Sequence, residues 1–149
     1  MRSPTSTLAA GEGLVLAAIS PMLNWAKVSA GGRSASSGPF DEGAVYRLGD
    51  WLGDTEGLDA WAVLLIAIAG LVVLGITVAG RLDARRGASF AASAGGLLVA
   101  LAIMEMQYIW SRPAGGGVDL GPTFGLYILL AGGVLAALSR FLPAKQIGG

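Results

Sequence analysis

The sequence predicts an all-α membrane protein, a bundle of four transmembrane helices whose long first outer loop folds as a small β-hairpin or sheet. The first observation is composition: 54% of the 149 residues are hydrophobic and 13% are charged, about half the charged share of a soluble domain. The second is the presence of four apolar stretches long enough to cross a hydrocarbon core of about 30 Å. The third is a cluster of positive charge in one short loop. Residues 1–149 are therefore predicted to form a single four-span membrane domain.

Three of the predicted spans follow from runs that carry little or no charge. They cover residues 61–80, 88–110 and 121–141, and Glu105 is the single acidic residue among them. A helix rises about 1.5 Å per residue, so about 20 residues cross the core. We expect each run to form one transmembrane helix.

The first span, residues 6–25, is less regular. Glu12 interrupts its apolar run, and Pro21 lacks the N–H that a helix interior requires, so we expect this helix to kink or end early. A cleaved signal peptide is the alternative, because an apolar core at residues 14–23 precedes a small-residue motif at residues 28–30. The acidic residue and the single arginine before that core favour an uncleaved span.

The distribution of basic residues sets the orientation. The short loop at residues 81–87 carries three arginines, and short positively charged loops face the cytoplasm. Both termini are then cytoplasmic, in a bacterial plasma membrane, and residues 26–60 and 111–120 form outer loops. Tryptophan prefers the membrane interface. Three tryptophans mark the outer ends of the first three spans and are predicted interfacial anchors: Trp25, Trp61 and Trp110.

Small residues supply the predicted helix contacts. Lipid is as apolar as leucine, so helices in a membrane associate through close backbone approach at small side chains, and the chain has 24 glycines. The candidate packing residues are a four-residue repeat in the third span and a set in the fourth: Ala88, Ala92, Gly96 and Ala100, with Gly125, Gly133 and Ala137. They serve either packing within the bundle or docking onto a second copy or another membrane protein.

The long outer loop carries signals for its own secondary structure. Residues 27–36 predict two short strands joined by a Gly-Gly turn. Residues 44–48 predict a third strand, and the spacing of leucine and tryptophan over residues 48–58 predicts a short interfacial helix. In the second outer loop, the glycines at residues 115–117 predict a flexible turn.

Acidic residues give the first outer loop a net negative charge. Their spacing lacks the order of a calcium-binding loop, so we expect a solvated surface that can meet a basic partner. These residues are Asp41, Glu42, Asp50, Asp54, Glu56 and Asp59.

A family resemblance is carried by the segment that follows the first span. A span ending in Asn24-Trp25, a strand and turn at residues 27–32, and a Ser/Gly-rich stretch with Phe40-Asp41 resemble the small four-span integral membrane proteins, mostly uncharacterised, of actinobacterial-type genomes. The resemblance implies a membrane location and a four-span shape, and no reaction. The layout is also similar in form to claudin-type proteins, although the paired cysteines and Gly-Leu-Trp motif of that family are missing.

Two acidic residues within the spans are candidates for chemistry. Glu105 lies about 7.5 Å below Trp110 along the third span, where it either reaches water or Arg112 or forms a proton or cation site between helices. Glu12 is similar to the glutamate in the first helix of small multidrug transporters, although those proteins lack a long outer loop. Its expected partners are inner-face arginines, Arg86 or Arg140.

Composition excludes much enzyme chemistry. The chain has no cysteine and no histidine, which removes thiol nucleophiles, imidazole metal sites and Ser-His pairs. Ten basic residues balance ten acidic ones, so no charge surplus indicates a nucleic-acid partner. We expect a non-enzymatic accessory or structural subunit of a larger bacterial membrane complex, without cofactor or metal, whose partners are integral membrane proteins or copies of itself, and lipids. A small oligomeric proton-coupled transporter or channel using Glu105 is the alternative.

Overall fold

A computed structural model describes residues 4–30, 33–40, 46–53, 55, 57–111 and 118–141. Along this part of the chain lie, in order, α1 Pro4–Ile19, β1 Ala26–Ala30, β2 Arg33–Ser37, α2 Arg47–Trp51, α3 Leu58–Val78, α4 Ala84–Ser111, β3 Val118–Pro122 and α5 Phe124–Leu138. Short 3-10 turns extend α1 and α5, at Ser20–Met22 and Ser139–Phe141. This part of the chain is mostly helical and carries one small sheet.

The four long helices pack as a bundle. Both α1 and α4 pack against α3 and α5, which places α1 and α4 diagonally opposite each other. The core is built mainly from alanine and leucine, including Leu14, Ala17, Ala67, Leu98, Ala102, Leu129 and Ala136. Two of the helices, α3 and α4, are long and apolar enough to cross a membrane, whereas α1 and α5 are apolar but shorter.

The helix ends differ from the predicted spans by one to six residues, and the largest difference is at the end of α1. The first span was predicted over residues 6–25, but α1 ends at Ile19 and gives way to a 3-10 turn that holds Pro21, as the missing proline N–H requires. α5 begins at Phe124 because β3 occupies the preceding residues. α3 and α4 begin three and four residues before the predicted starts of their spans.

An antiparallel three-stranded sheet in the order β2-β1-β3 adjoins the bundle where α1 ends and α5 begins. Val28 of β1 pairs with Ala35 of β2 on one side and with Leu120 of β3 on the other. The pairing of β1 with β2 confirms the predicted hairpin, although its Gly31-Gly32 turn lies outside the described residues.

The third strand comes from a different loop than the sequence predicted. Residues 44–48 were expected to supply it, but α2 begins at Arg47 and the strand is β3, from the second outer loop. The pairing continues beyond β3, where the Thr123 N–H donates to the Trp25 carbonyl over 2.9 Å and the Gly125 N–H to the Asn24 carbonyl over 2.8 Å. The sheet therefore ties both predicted outer loops together at the ends of α1 and α5.

Asp59 holds α2 against the start of α3. Its side chain is 2% exposed, and its two oxygens accept hydrogen bonds from the backbone N–H groups of Leu48 and Gly49, each over 2.9 Å. Those N–H groups belong to the first turn of α2, where no carbonyl of that helix can accept them. α2 confirms the short helix expected in this loop, and the expectation that Asp59 is a solvated surface acid was wrong because the residue caps that helix.

We expect Asp59→Asn to release α2. The amide keeps one acceptor oxygen but places its own N–H₂ group against a backbone N–H, so one buried donor loses its partner at a cost of about 1 to 3 kcal/mol. Hydrogen exchange at the amides of Leu48 and Gly49 should accelerate at least about tenfold. Asp50→Asn is the matched control, because Asp50 is exposed in the same helix. Unchanged exchange in the Asp59 variant would contradict the capping role.

Candidate functional site

An aromatic cluster lies between the sheet and the bundle. Trp25 is 0% exposed, its indole Nε1 donates to the Ser20 carbonyl over 3.0 Å, and its ring meets Tyr46 edge-on with centroids 5.3 Å apart. Tyr46 in turn lies 6.5 Å from Tyr108 of α4, centroid to centroid. The cluster joins the end of α1, the entry to α2 and α4.

The three tryptophans predicted as interfacial anchors divide into two groups. Trp61 and Trp110 are 57% and 60% exposed, whereas the predicted interfacial role of Trp25 is wrong because its side chain is enclosed by protein. The reason is the early end of α1 at Ile19. Trp25 therefore lies beyond the helix, directly before the first residue of β1.

Glu105 lies in the bundle core, three residues before Tyr108 on α4. Its side chain is 0% exposed, on the same buried face as Ala102, Met106 and Ile109. The expectation that it reaches up to water was therefore wrong. Arg112, the other expected partner, lies outside the described residues. A buried acidic side chain of this kind can hold a proton or contact a cation that enters the bundle.

Glycine backbones set the distance between α1 and α5. A Cβ on Gly13 would collide with the Gly132 carbonyl oxygen and lie 2.7 Å from the Ala136 nitrogen. A Cβ on Gly132 would lie 2.5 Å from the Gly13 carbonyl oxygen. The approach is reciprocal, so each helix presents bare backbone to the other.

The neighbouring glycine of α5 makes the corresponding contact with α4. A Cβ on Gly133 would lie 3.0 Å from the Gly95 carbonyl oxygen, and one on Gly95 would collide with the Ala137 nitrogen. Gly125, also predicted as a packing residue, lies against the Asn24 carbonyl at the sheet end. Gly125, Gly133 and Ala137 therefore lie at contacts inside the molecule. Sequence reasoning missed Gly13, and the four-residue spacing of the small residues Gly13 and Ala17 in the first span was the signal available for it.

The predicted packing row on α4 does not stay on one face. Ala88 and Ala92 are buried inside the bundle, whereas Gly96 and Ala100 are exposed. Because a helix turns about 100° per residue, a row spaced by four residues rotates about 40° at each step. The prediction of one continuous docking face was wrong for this reason.

The outward face of α4 carries a different row of small side chains. Ser93, Gly96 and Ala100 are exposed, and a Cβ on Gly96 would meet no heavy atom within 4 Å. Their spacing of three and four residues keeps them on one side of a helix. We call this row the α4 seam.

Glu12 lies on a surface groove of about 480 Å³ along α1. Its side chain is exposed. The other lining residues are uncharged: Thr7, Leu8, Gly11, Val15 and Leu16. Among the side chains that the structure describes, no basic one lines this groove, and the side chain of Arg140, one expected partner, lies outside that set.

The predicted acidic surface of the first outer loop is described only in part. Asp50 is exposed and Asp59 is buried. The other four residues lie outside the described part: Asp41, Glu42, Asp54 and Glu56. Within the described residues, no group of three or more acidic side chains could hold a metal ion.

No protein-family model, curated protein or solved structure matches this chain. The fold alone defines its class, a mostly helical protein with two helices long and apolar enough to cross a membrane and a three-stranded sheet.

Proposed function

We propose that this chain is a four-span protein of a bacterial plasma membrane, with both termini in the cytoplasm, and that it acts as a non-enzymatic accessory subunit of a larger membrane complex. The exterior of the bundle supports the membrane location. An apolar helix in the core of a soluble protein is mostly buried, but only 22% of the apolar window of α3 is buried. Large side chains such as Leu65, Val72 and Val78 face outward, and soluble monomers rarely expose apolar surface on this scale.

The two shorter helices also approach the thickness of a membrane core. α1 has 16 residues and α5 has 15, which gives about 22 to 24 Å at 1.5 Å per residue. Each continues into a 3-10 turn of three residues, which adds about 6 Å. The resulting length of about 28 to 30 Å supports four crossings.

The α4 seam is the observation that carries the subunit proposal. Small side chains let backbones approach and hold neighbouring helices together in lipid. The contacts of Gly13, Gly95, Gly132 and Gly133 already pack the helices of this bundle against one another. Gly96 and Ala100 lie outside those contacts, so they are free to receive a helix from another protein.

Blocking the seam should release the partner. Chains that co-purify with the wild type in mild detergent, identified by mass spectrometry, should be lost at least about tenfold when Gly96→Leu and Ala100→Leu are combined, because bulky side chains prevent close approach. Gly75→Leu is the matched control, since a Cβ at Gly75 also meets no atom within 4 Å but lies on α3. A wild-type protein that remains a lone monomer under crosslinking would contradict the proposal.

Burial of Glu105 favours a second candidate, a small oligomeric proton-coupled transporter or channel. A carboxyl group enclosed in a helical bundle is a general feature of proton pathways through membranes. In proteoliposomes, Glu105→Gln should then abolish pH-dependent flux, whereas Asp50→Asn should not. Loss of flux in the Glu105 variant alone would favour this function over the accessory subunit. No flux by the wild-type protein would remove it.

A further inference from the structure

The groove that holds Glu12 has the surface pattern of a helix-packing site. Its lining residues form two parallel rows with a four-residue spacing, Thr7, Gly11 and Val15 in one and Leu8, Glu12 and Leu16 in the other. Rows of this spacing are the ridges and grooves by which helices pack against each other. Gly11 forms the low point between exposed Leu8 and Val15.

Glu12 lies too deep to be an interfacial residue if α1 crosses the membrane as proposed above. It follows Pro4, the first residue of α1, by eight positions, or about 12 Å along the axis. A Cβ on the adjacent Gly11 would lie 3.6 Å from the Leu74 side chain of α3. Leu74 is seven residues, about 10 Å, above Arg81. Both measures place the carboxyl group about 10 Å inside the cytoplasmic boundary.

A carboxylate that faces lipid at this depth requires a partner. Ionised side chains inside the membrane are costly, and they pair within protein far more often than they face lipid. Amine head groups of lipids lie at the interface, about 10 Å closer to the cytoplasm than Glu12 and too far away to reach it. A basic side chain on a neighbouring transmembrane helix can reach it.

Neither this chain nor a second copy carries a basic residue at that depth. No lysine or arginine occurs in residues 3–26, 61–80 or 88–110, nor between residues 121 and 139. Arg86 and Arg140, the partners expected from the sequence, therefore lie near the cytoplasmic boundary in either copy and not at the depth of Glu12.

We propose that the groove around Glu12, the α1 groove, is the binding site for a transmembrane helix of a different protein. A lysine or arginine of that helix pairs with Glu12. The inference rests on the proposed membrane location and adds a partner chemistry to it. Because α1 and α4 are diagonally opposite, the α1 groove and the α4 seam are separate surfaces. A charge pair between helices fixes both the depth and the identity of the partner helix.

Synthetic transmembrane peptides test this pairing with full-length protein in liposomes. The probe is an Ala/Leu helix with one lysine placed about 12 Å from its cytoplasmic end, and the same helix with leucine there is the reference. Energy transfer is measured to a dye on Lys27→Cys, at an exposed position of a chain that otherwise has no cysteine. The lysine peptide should associate about tenfold more strongly than the leucine peptide.

Variants of Glu12 decide whether its carboxylate causes the preference for the lysine peptide. Glu12→Gln should remove the preference for the lysine peptide, and Glu12→Asp should retain most of it, because the charge remains. Asp83→Asn is the control for charge near the cytoplasmic boundary, since Asp83 is exposed in the α3–α4 loop, and it should leave the preference intact. Equal association of both peptides with the wild type would overturn the proposal. So would a preference that survives Glu12→Gln.

The same preparation separates this inference from the proposed function. A protein that does not insert into liposomes contradicts both. A protein that inserts and retains its co-purifying chains, but binds the two peptides equally, loses the Glu12 site and keeps the subunit function.

Discussion

Replacing Trp25 with alanine is expected to lower the free energy of unfolding by about 3 to 5 kcal/mol, the usual cost of removing a large buried aromatic side chain. The indole is fully enclosed, and it connects the end of α1 to Tyr46. Its loss leaves a cavity and removes one of the two N–H donors to the Ser20 carbonyl, which keeps the Leu23 N–H. Thermal unfolding in detergent, followed by circular dichroism, measures the effect.

Two further variants separate cavity formation from loss of the hydrogen bond. Trp25→Phe keeps most of the ring volume but removes the N–H donor, so we expect about 1 to 2 kcal/mol. Trp110→Ala removes an exposed ring of the same size and should change stability by no more than about 0.5 kcal/mol. Equal losses for the Trp25 and Trp110 alanine variants would contradict the buried cluster.

Gly132→Ala is expected to push α1 and α5 apart and to cost about 1 to 3 kcal/mol. The added Cβ would lie 2.5 Å from the Gly13 carbonyl oxygen and 2.9 Å from the Ala17 nitrogen. Both neighbours are backbone atoms, so no flexible side chain can move to make room. Resistance to unfolding by denaturing detergent, measured on the purified protein, should fall accordingly.

The matched control for Gly132 has the opposite expected sign. Gly75 is also a helical glycine, but a Cβ there meets no heavy atom within 4 Å. Gly75→Ala should therefore be neutral or stabilise α3 by up to about 1 kcal/mol through helix propensity. Destabilisation of both variants by the same amount would contradict the close approach at Gly132, because a Cβ on Gly75 has no neighbour to collide with.

Elements with a strong local signal could be predicted from the sequence. The apolar runs gave the positions of α3, α4 and α5, Pro21 gave the early end of α1, and the paired strands of the first outer loop were correctly expected. In each case the deciding physics acts over a few neighbouring residues.

Features that depend on contacts between distant segments could not be predicted. β3 joins the sheet through pairing between Val28 and Leu120, and no local pattern selects that partner over residues 44–48. Burial of Trp25 and Asp59 has the same origin. Trp25 contacts Tyr46, and Asp59 accepts hydrogen bonds from the first turn of α2. The residues next to Trp25 and Asp59 in the sequence do not indicate these partners. The rotation of the Ala88 to Ala100 row was, by contrast, computable from helix geometry alone.

Labelling of single introduced cysteines on intact cells tests the four-span arrangement most directly. The chain has no native cysteine, so Lys27→Cys, Asp83→Cys and Phe141→Cys each report one position with a membrane-impermeant maleimide. The four-span account predicts that Lys27→Cys reacts from outside, and that Asp83→Cys and Phe141→Cys react only after permeabilisation. Reaction of Lys27→Cys and Phe141→Cys from the same side, opposite to Asp83→Cys, would show that only α3 and α4 cross and would contradict it.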